Sequence, residues 1–367
     1  MKIAFLLGSL NRGGTETLLL DVFQNADKAA FKFIGIHRKD GAYKTDFYAT
    51  EQPLFKLSPK FPFDPIYLWK LRKLLKDENI QIVHAQQPID ALCAWLVRLR
   101  TNFKIVLTWH GYDFQIKKLS AFINNFIIKR VHCNIFVSQT QMMHYQKKYK
   151  VNTQKCSVVY NGIDFSKLKM SYPSCSLRKD LEISANVLLL GAVGNFNDVR
   201  DQMTLCRFLK LLQEQNVLFH FLFVGKQIDS SPQKYDDCVN FCSQNNLNDQ
   251  VHFLGTRQDV PQILTQLDAF LYASDHDTFG IAIVEAIAAG IPVFVNDWEV
   301  MKEVTEDGKY ATLYKTKNEK DLLCHFMSFL KNQNSYKENA EKSSQCVQKK
   351  YSIKKHIQEL INVYNII

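Results

Sequence analysis

Short apolar runs alternate with amphipathic helical segments along the whole chain, and this constrains the fold more than any other feature. Predicted strands fall at residues 2–7, 33–37, 81–84, 104–108, 134–137 and 157–160. Helical patterns lie between them at 16–25, 64–76, 90–99, 119–131 and 139–149. In 64–76 the apolar residues Ile66, Leu68, Leu71, Leu74 and Leu75 recur at helical spacing. The second half repeats the pattern, with strands at 187–193, 219–224, 251–254, 268–273 and 292–295. Its helices are predicted at 202–215, 234–245, 260–267, 281–289, 319–331 and 339–348. Such alternation builds a parallel sheet with helices on both faces. A chain of 367 residues exceeds one typical core. The two runs therefore read as two doubly wound domains, 1–165 and 185–351, joined by a linker at 166–184 that carries Ser171-Tyr172-Pro173-Ser174. Ligands of open parallel sheets bind beyond the carboxyl ends of the strands, so the expected site is a cleft between two such sheets.

Composition removes several function classes. With 46% hydrophobic and 22% charged residues the chain reads as a soluble globular protein. No stretch approaches the roughly 20 apolar residues that span a bilayer, and the run 3–7 is too short for a signal-peptide core. A cytoplasmic location is expected. The nine cysteines are scattered. Cys238 and Cys242 are four apart, with no second pair to complete a tetrahedral cysteine metal site, so the thiols read as reduced and mostly buried. Net charge is +10, unevenly spread: residues 1–165 hold 24 Lys+Arg and 12 Asp+Glu, a net of +12, against 22 and 24 in the remainder, a net of −2. A one-sided basic half suits an anionic membrane leaflet or nucleic acid, or is a set of solvated helix faces. Interleaved aromatic and basic stacking platforms are not evident, so nucleic acid is not expected.

Five motifs follow predicted strands. Gly13-Gly14-Thr15-Glu16 opens a helix, where glycines admit a phosphate or sugar or merely make a tight turn; the dinucleotide G-x-G spacing is missing. In Trp109-His110-Gly111 a histidine at a strand's carboxyl end can donate to a sugar hydroxyl or phosphate oxygen, or pack structurally. His84, at another strand end, reads as structural. Tyr160-Asn161-Gly162-Ile163-Asp164 reads as a turn with Asn161 or Asp164 bonding local backbone. In the stretch from Gly194 to Asp201, Arg200 could neutralise a diphosphate or be a surface arginine. The stretch from Ser274 to Glu285 is the most specific. Asp277 and Glu285 flank Phe279-Gly280 across a strand-to-helix turn, and a helix N-terminus suits phosphate while two carboxylates suit sugar and ribose hydroxyls.

Taken in order, GGTE at 13–16, WHG at 109–111, YNGID at 160–164, VGNF at 193–196, FVG at 223–225, FLGTRQDVP at 253–261 and DTFGIAIVEAIAAGIPV at 277–293 resemble the family 4 (group 1) glycosyltransferases of the GT-B fold. The ending, with Tyr351, His356, Leu360 and Tyr364, is similar to the family's last helix, which packs back on the N-terminal domain; here that is 352–367. The resemblance implies retaining, metal-independent sugar transfer from a nucleotide-diphosphate sugar, such as a UDP- or GDP-sugar, to a saccharide or lipid-linked acceptor. Surface polysaccharide assembly (O-antigen, capsule or similar) at the inner face of the cytoplasmic membrane is the implied setting, with the basic N-terminal domain against the bilayer. It places Glu285 on the ribose and Asp277 on the donor sugar. Backbone N–H groups of Phe279, Gly280 and Ile281 would hold sugar and phosphate. Gly13 and Gly14 would approach the diphosphate, Gly194 would be among the donor-binding residues, His110 would lie near the reacting carbon, and Gly255, Thr256 and Arg257 near the base. Arg200 takes the family's usual lysine role, with Lys226 as the alternative cation. Asp277 is one methylene shorter than the family's glutamate, Thr278 replaces a common glycine and Asn195 a common arginine. A GT-B epimerase or hydrolase-like enzyme, or a non-catalytic basic binding protein, are the competing readings.

Overall fold

The structure, a computed structural model, describes residues 1–26, 32–99, 101–114, 116–169, 177–229 and 231–367. It divides into two compact units, Met1–Ile163 with Ile353–Ile367, and Asp164–Ser352.

In the first unit, β1 (Lys2–Ser9), β2 (Lys32–Lys39), β3 (Leu54–Lys56), β4 (Ile82–Ala85), β5 (Lys104–Trp109), β6 (Cys133–Phe136) and β7 (Cys156–Val158) form one parallel sheet. Their spatial order is β3-β2-β1-β4-β5-β6-β7. The helices are α1 (Gly14–Asn25), α2 (Lys44–Tyr48), α3 (Pro65–Asp77), α4 (Pro88–Val97), α5 (Lys118–Ile127) and α6 (Gln139–Tyr149). Side chains alternate across the sheet because successive strand residues point to opposite faces. Ala4 and Leu6 join the core under α3, α4, α5 and α6. Ile3, Phe5 and Leu7 join the one under α1 and α2. Local signals fix the helix starts: Asp64 Oδ1 accepts from the Ile66 N–H at 2.9 Å just before Pro65, and Ser138 Oγ accepts from the Gln141 N–H at 3.2 Å. Neither β3 nor α2 was expected, since three and five residues are too short to show a period.

The second unit has its own parallel sheet of β8 (Leu188–Val193), β9 (Phe219–Val224), β10 (Val251–Gly255), β11 (Ala269–Tyr272), β12 (Val293–Asn296) and β13 (Thr312–Tyr314). The order is β10-β9-β8-β11-β12-β13. Its helices are α7 (Leu177–Asp180), α8 (Gln202–Glu214), α9 (Gln233–Gln244), α10 (Val260–Leu264), α11 (Ile281–Ala288), α12 (Glu299–Thr305), α13 (Glu319–Lys331) and α14 (Gln333–Lys350). The short β13 and α12 escaped prediction for the same reason as β3 and α2. The helix expected at 339–348 is longer and begins at Gln333. Phe219, Phe221 and Phe223 of β9 pack with Phe208 of α8 and Phe326 of α13 in the main core. Cys206, Cys238 and Cys242 are buried there as small apolar side chains. The eight described cysteines are all unbridged, five of them buried.

The segment expected as a linker is attached to the second unit where it is described. Lys167 O accepts from Gln262 Nε2 at 3.3 Å, and Arg178 of α7 pairs with Asp268 at 2.6 Å. Ser171-Tyr172-Pro173-Ser174 lies outside the described residues.

The final helix, α15 (Ile353–Ile366), belongs to the first unit and packs on α1. Two features of sequence make its seat. Gly162 leaves room for it: a Cβ there would lie 2.5 Å from His356 Cβ and 2.8 Å from Ile353 Cα. His84 is buried beneath it, with Nδ1 2.6 Å from Tyr364 Oη and Nε2 2.7 Å from Thr108 Oγ1. The structural reading of His84 therefore holds. The turn reading of 160–164 holds at Asp164, whose Oδ1 accepts from Ser166 N–H and Oγ–H at 3.1 and 2.6 Å.

Candidate active site

In each sheet the strand order reverses beside the first strand, between β1 and β4 and between β8 and β11. This is the point where an open α/β sheet leaves a crevice at its carboxyl edge. The sequence motifs collect at these two points.

At the β8/β11 point, two loops are zipped together by backbone. The Asp201 N–H reaches Ala273 O at 3.2 Å, the Asp275 N–H reaches Val199 O at 2.9 Å, and Ser274 Oγ donates to Val199 O at 2.9 Å. Asn296, from the end of β12, clasps the Ser274 N–H and C=O at 2.9 and 2.8 Å. The zipper brings Arg200 to Asp277 across 77 residues, with Nη1 2.9 Å from Oδ2. The guanidinium also lies over the Tyr272 ring, 4.5 Å from its centroid. Tyr272 Oη donates to the same carboxylate, and the Thr278 N–H donates to its Oδ1 at 2.7 Å. Two expected site residues are thus each other's partner, and Tyr272 binds both. Tyr272 escaped the sequence reading because there it is only one residue near the end of an apolar strand.

Gly280 caps α11 in the left-handed region at φ +81, with no side-chain cap, and Ile281 opens the helix. The first backbone bond runs from the Ile283 N–H to Gly280 O, so the turn of Gly280 and Ile281 carries the helix's positive end. Phe279 turns its ring inward against Tyr351, and its N–H faces Asp277 Oδ1 at 3.5 Å. Glu285 lies one turn along, half-buried. The other end of α11 is closed by Ser344 Oγ and Gln348 Nε2, which donate to Ala288 O at 2.6 and 2.9 Å.

Gly194 follows β8, where an added Cβ would press on Arg200 Nε at 3.1 Å. Asn195 ties the ends of β8 and β9, because its Oδ1 accepts from the Lys226 N–H at 3.0 Å. Lys226 is exposed at that edge. Gly255 ends β10 and Thr256 follows it farther along the same edge. Arg257 makes a bidentate pair with Asp259 at 2.8 and 2.6 Å.

At the β1/β4 point a cavity of about 260 Å³ opens, lined by Gly8, Thr15, Glu16, Gln86, Thr108 and His110 among others. Gly13 and Gly14 are the cap and first residue of α1 beside it, outside the cavity wall. His110 is half-buried, and its Nε2 lies 2.7 Å from Gln86 Oε1. Burial lowers His110 to about 4, with help from the nearby His356. Burial raises Glu16 above the ordinary carboxyl range. Gln86 also escaped the sequence reading, although a polar pair directly after an apolar strand, Gln86-Gln87, was a usable signal.

Among the described residues no group of three or more His, Cys, Asp and Glu is arranged to hold a metal ion. No helix among them is long and apolar enough to cross a membrane.

Two family models match, glycosyltransferase family 4 over residues 12–167 and glycosyl transferases group 1 over 176–346. N-acetyl-alpha-D-glucosaminyl L-malate synthase of Bacillus anthracis is 24% identical over 315 residues, covering 83% of this chain and 79% of that protein. An O-antigen biosynthesis glycosyltransferase of Escherichia coli, WclY, is 22% identical over 316 residues, covering 83% and 82%. Anabaena Alr3699/HepE, solved with UDP and glucose, superposes with a TM-score of 0.87 at 20% identity over the full length of both chains. WaaG, a glycosyltransferase of lipopolysaccharide biosynthesis, gives 0.70 at 16% identity, covering 94% and 95%. With the two models covering both units and the GT-B fold shared with these structures, the chain belongs to the group 1, family 4 glycosyltransferases.

Proposed function

We propose that this glycosyltransferase moves a sugar, with retention of configuration, from a nucleotide-diphosphate sugar to a saccharide or lipid-linked acceptor in surface polysaccharide assembly. The observation that carries the reading is the joint placement of Arg200 and the uncapped start of α11 at one switch point. A guanidinium and a helix N-terminus together suit a leaving diphosphate, whose charge grows as the glycosidic bond breaks. The mechanism is electrostatic. Arg200 and the amides of Phe279, Gly280 and Ile281 stabilise the diphosphate, and its own oxygen accepts the acceptor hydroxyl's proton on the same face. Glu285 is assigned to the ribose, Asp277 to the donor sugar, and Gly194, Lys226, Gly255, Thr256 and Arg257 to the nucleotide end. The first unit contributes Gly13, Gly14 and His110. No metal is required in this scheme. The Anabaena protein's complexes with UDP and UDP-glucose support a uridine nucleotide among the donors to try first.

The acceptor side is proposed to work at an anionic membrane. On the first unit α3 packs on α4 and α4 on α5. Ile66 and Trp69 on α3, Leu99 just past α4, and Leu119 and Phe122 on α5 are all exposed. Lys70, Lys73, Lys117 and Lys118 are interleaved with them in sequence. Apolar side chains amid cations favour an anionic headgroup layer.

The test is a panel of UDP- and GDP-sugars, scored by calorimetric binding, by donor turnover with and without chelator, and by NMR of the product's anomeric configuration. An α-linked product from an α-linked donor, with chelator-insensitive turnover, is expected. An inverted product or loss of turnover with chelator overturns the mechanism, and an altered free nucleotide sugar with no transfer points to the epimerase class instead. Flotation with anionic vesicles at low salt tests the membrane part, and failure to float refutes it.

A further inference from the structure

Gln86 follows β4 and is 5% exposed, in the wall of the first unit's cavity. Its Oε1 faces His110 Nε2 at 2.7 Å, and its Nε2 is buried without a protein partner. An amide oxygen only accepts, so this contact selects the imidazole tautomer that carries its hydrogen on Nε2. A carboxylate in the same place would instead stabilise the imidazolium.

The groups around the ring agree with a neutral partner. Burial and the neighbouring His356 on α15 disfavour a positive charge on the ring. The acids of the cavity wall are Glu16 on α1 and Asp113 in the loop after His110. Asp113 is engaged by Lys148 at 2.8 Å, by His144 at 3.4 Å and by the Tyr149 hydroxyl, all on α6. Tyr145 of α6, also in the wall, donates to Gly111 O at 3.0 Å.

We infer that Gln86 is the positioning residue for His110: it fixes the ring's orientation and tautomer so that a neutral imidazole meets the ligand, while its own Nε2–H group donates to an oxygen of the transferred sugar in the cavity. The inference rests on His110 contacting a ligand in the proposed transfer reaction. It makes His110 a hydrogen-bonding group of fixed polarity and leaves charge neutralisation to Arg200.

The experiment uses the full chain labelled with 15N-histidine, with His110 assigned by signal loss in His110→Gln. Long-range 1H–15N spectra are expected to show the Nε2–H tautomer, with no protonation from pH 8 to 5.5. Gln86→Glu should move the midpoint upward by at least one pH unit and introduce a new acid-side change in kcat/KM. Gln86→Leu, of similar volume, should mix the tautomers and lower kcat at least tenfold while nucleotide affinity stays within twofold. A wild-type Nδ1–H tautomer, an unchanged midpoint in Gln86→Glu, or unchanged tautomer and kcat in Gln86→Leu overturns the proposal. The spectra require no substrate. If glycosyl transfer itself were refuted, the tautomer assignment would still be decided, and a working transferase with the wrong tautomer would sink Gln86 alone.

Discussion

Lowering the pH from 7 to 5.5 should open the first unit selectively. Three histidines around the seat of α15 are held neutral, His84 with its value pushed to about 3, and His110 and His356 each to about 4, and burial also lowers His132 to about 4 and His37 below its ordinary value in the same unit. Burial is the leading cause in each, and their mutual repulsion adds to it for His84 and His110. In the unfolded chain each returns to its ordinary value of 6.5. The folded value is the lower one, so the unfolded chain binds more protons between the two. The stability is complete above the unfolded value and falls with pH below it. At pH 5.5 each unfolded imidazole is about 90% protonated while the folded ones are almost bare, so unfolding takes up nearly three protons at His84, His110 and His356 alone. One pH unit below 6.5 costs about 1.4 kcal/mol per histidine, or about 4 kcal/mol for the three. That is a large share of a domain's usual 5–15 kcal/mol. Hydrogen exchange of β1, β4 and β5 peptides, corrected for intrinsic rates, reads the opening free energy of this unit directly. A drop of at least about 2 kcal/mol between pH 7 and 5.5 is expected there, with a smaller one in β8 and β11. A change under about 0.5 kcal/mol in β4 and β5 would refute the picture of three buried neutral imidazoles.

Arg200→Ala should lower turnover by about 10²–10³, the loss seen when a donor that stabilises a developing anion is removed. Near-normal turnover would remove Arg200 from the mechanism. Tyr272→Phe keeps the ring under Arg200 but deletes a hydroxyl bonded to Asp277, so it should cost about 1 kcal/mol of second-unit stability by denaturant titration, and no loss would deny that bond a structural role. Gly162→Ala sets a methyl against the backbone of α15 and should destabilise the first unit by about 1–3 kcal/mol; exchange in α15 that stays at the wild-type rate would contradict the packing. Tyr364→Phe strips His84 of one of two partners and should cost about 1–3 kcal/mol through a buried unpaired nitrogen; an unchanged thermal midpoint would contradict that pairing.

Much of the architecture was legible because periodicity and turn chemistry are local. The apolar run ending at Ala273 and the small-residue helix closed by Gly290 could be read without knowing what they touch. Gly280 was placed at a helix start from sequence, and its left-handed conformation follows from the same position. His84 was readable as structural only in outline, since its partner Tyr364 lies 280 residues away.

The sequence by itself determined the two alternating α/β units, their strand-end motifs and the family resemblance that those motifs carry in order. Tertiary structure alone decided which strand ends are neighbours, and with that the pairings inside the site. Arg200 meets Asp277 and Tyr272 because the strand order reverses between β8 and β11. Gln86 meets His110 because β4 and β5 lie side by side in register. A pairing between distant residues depends on sheet order and on which face each side chain takes, and neither quantity is written in any local stretch of the chain.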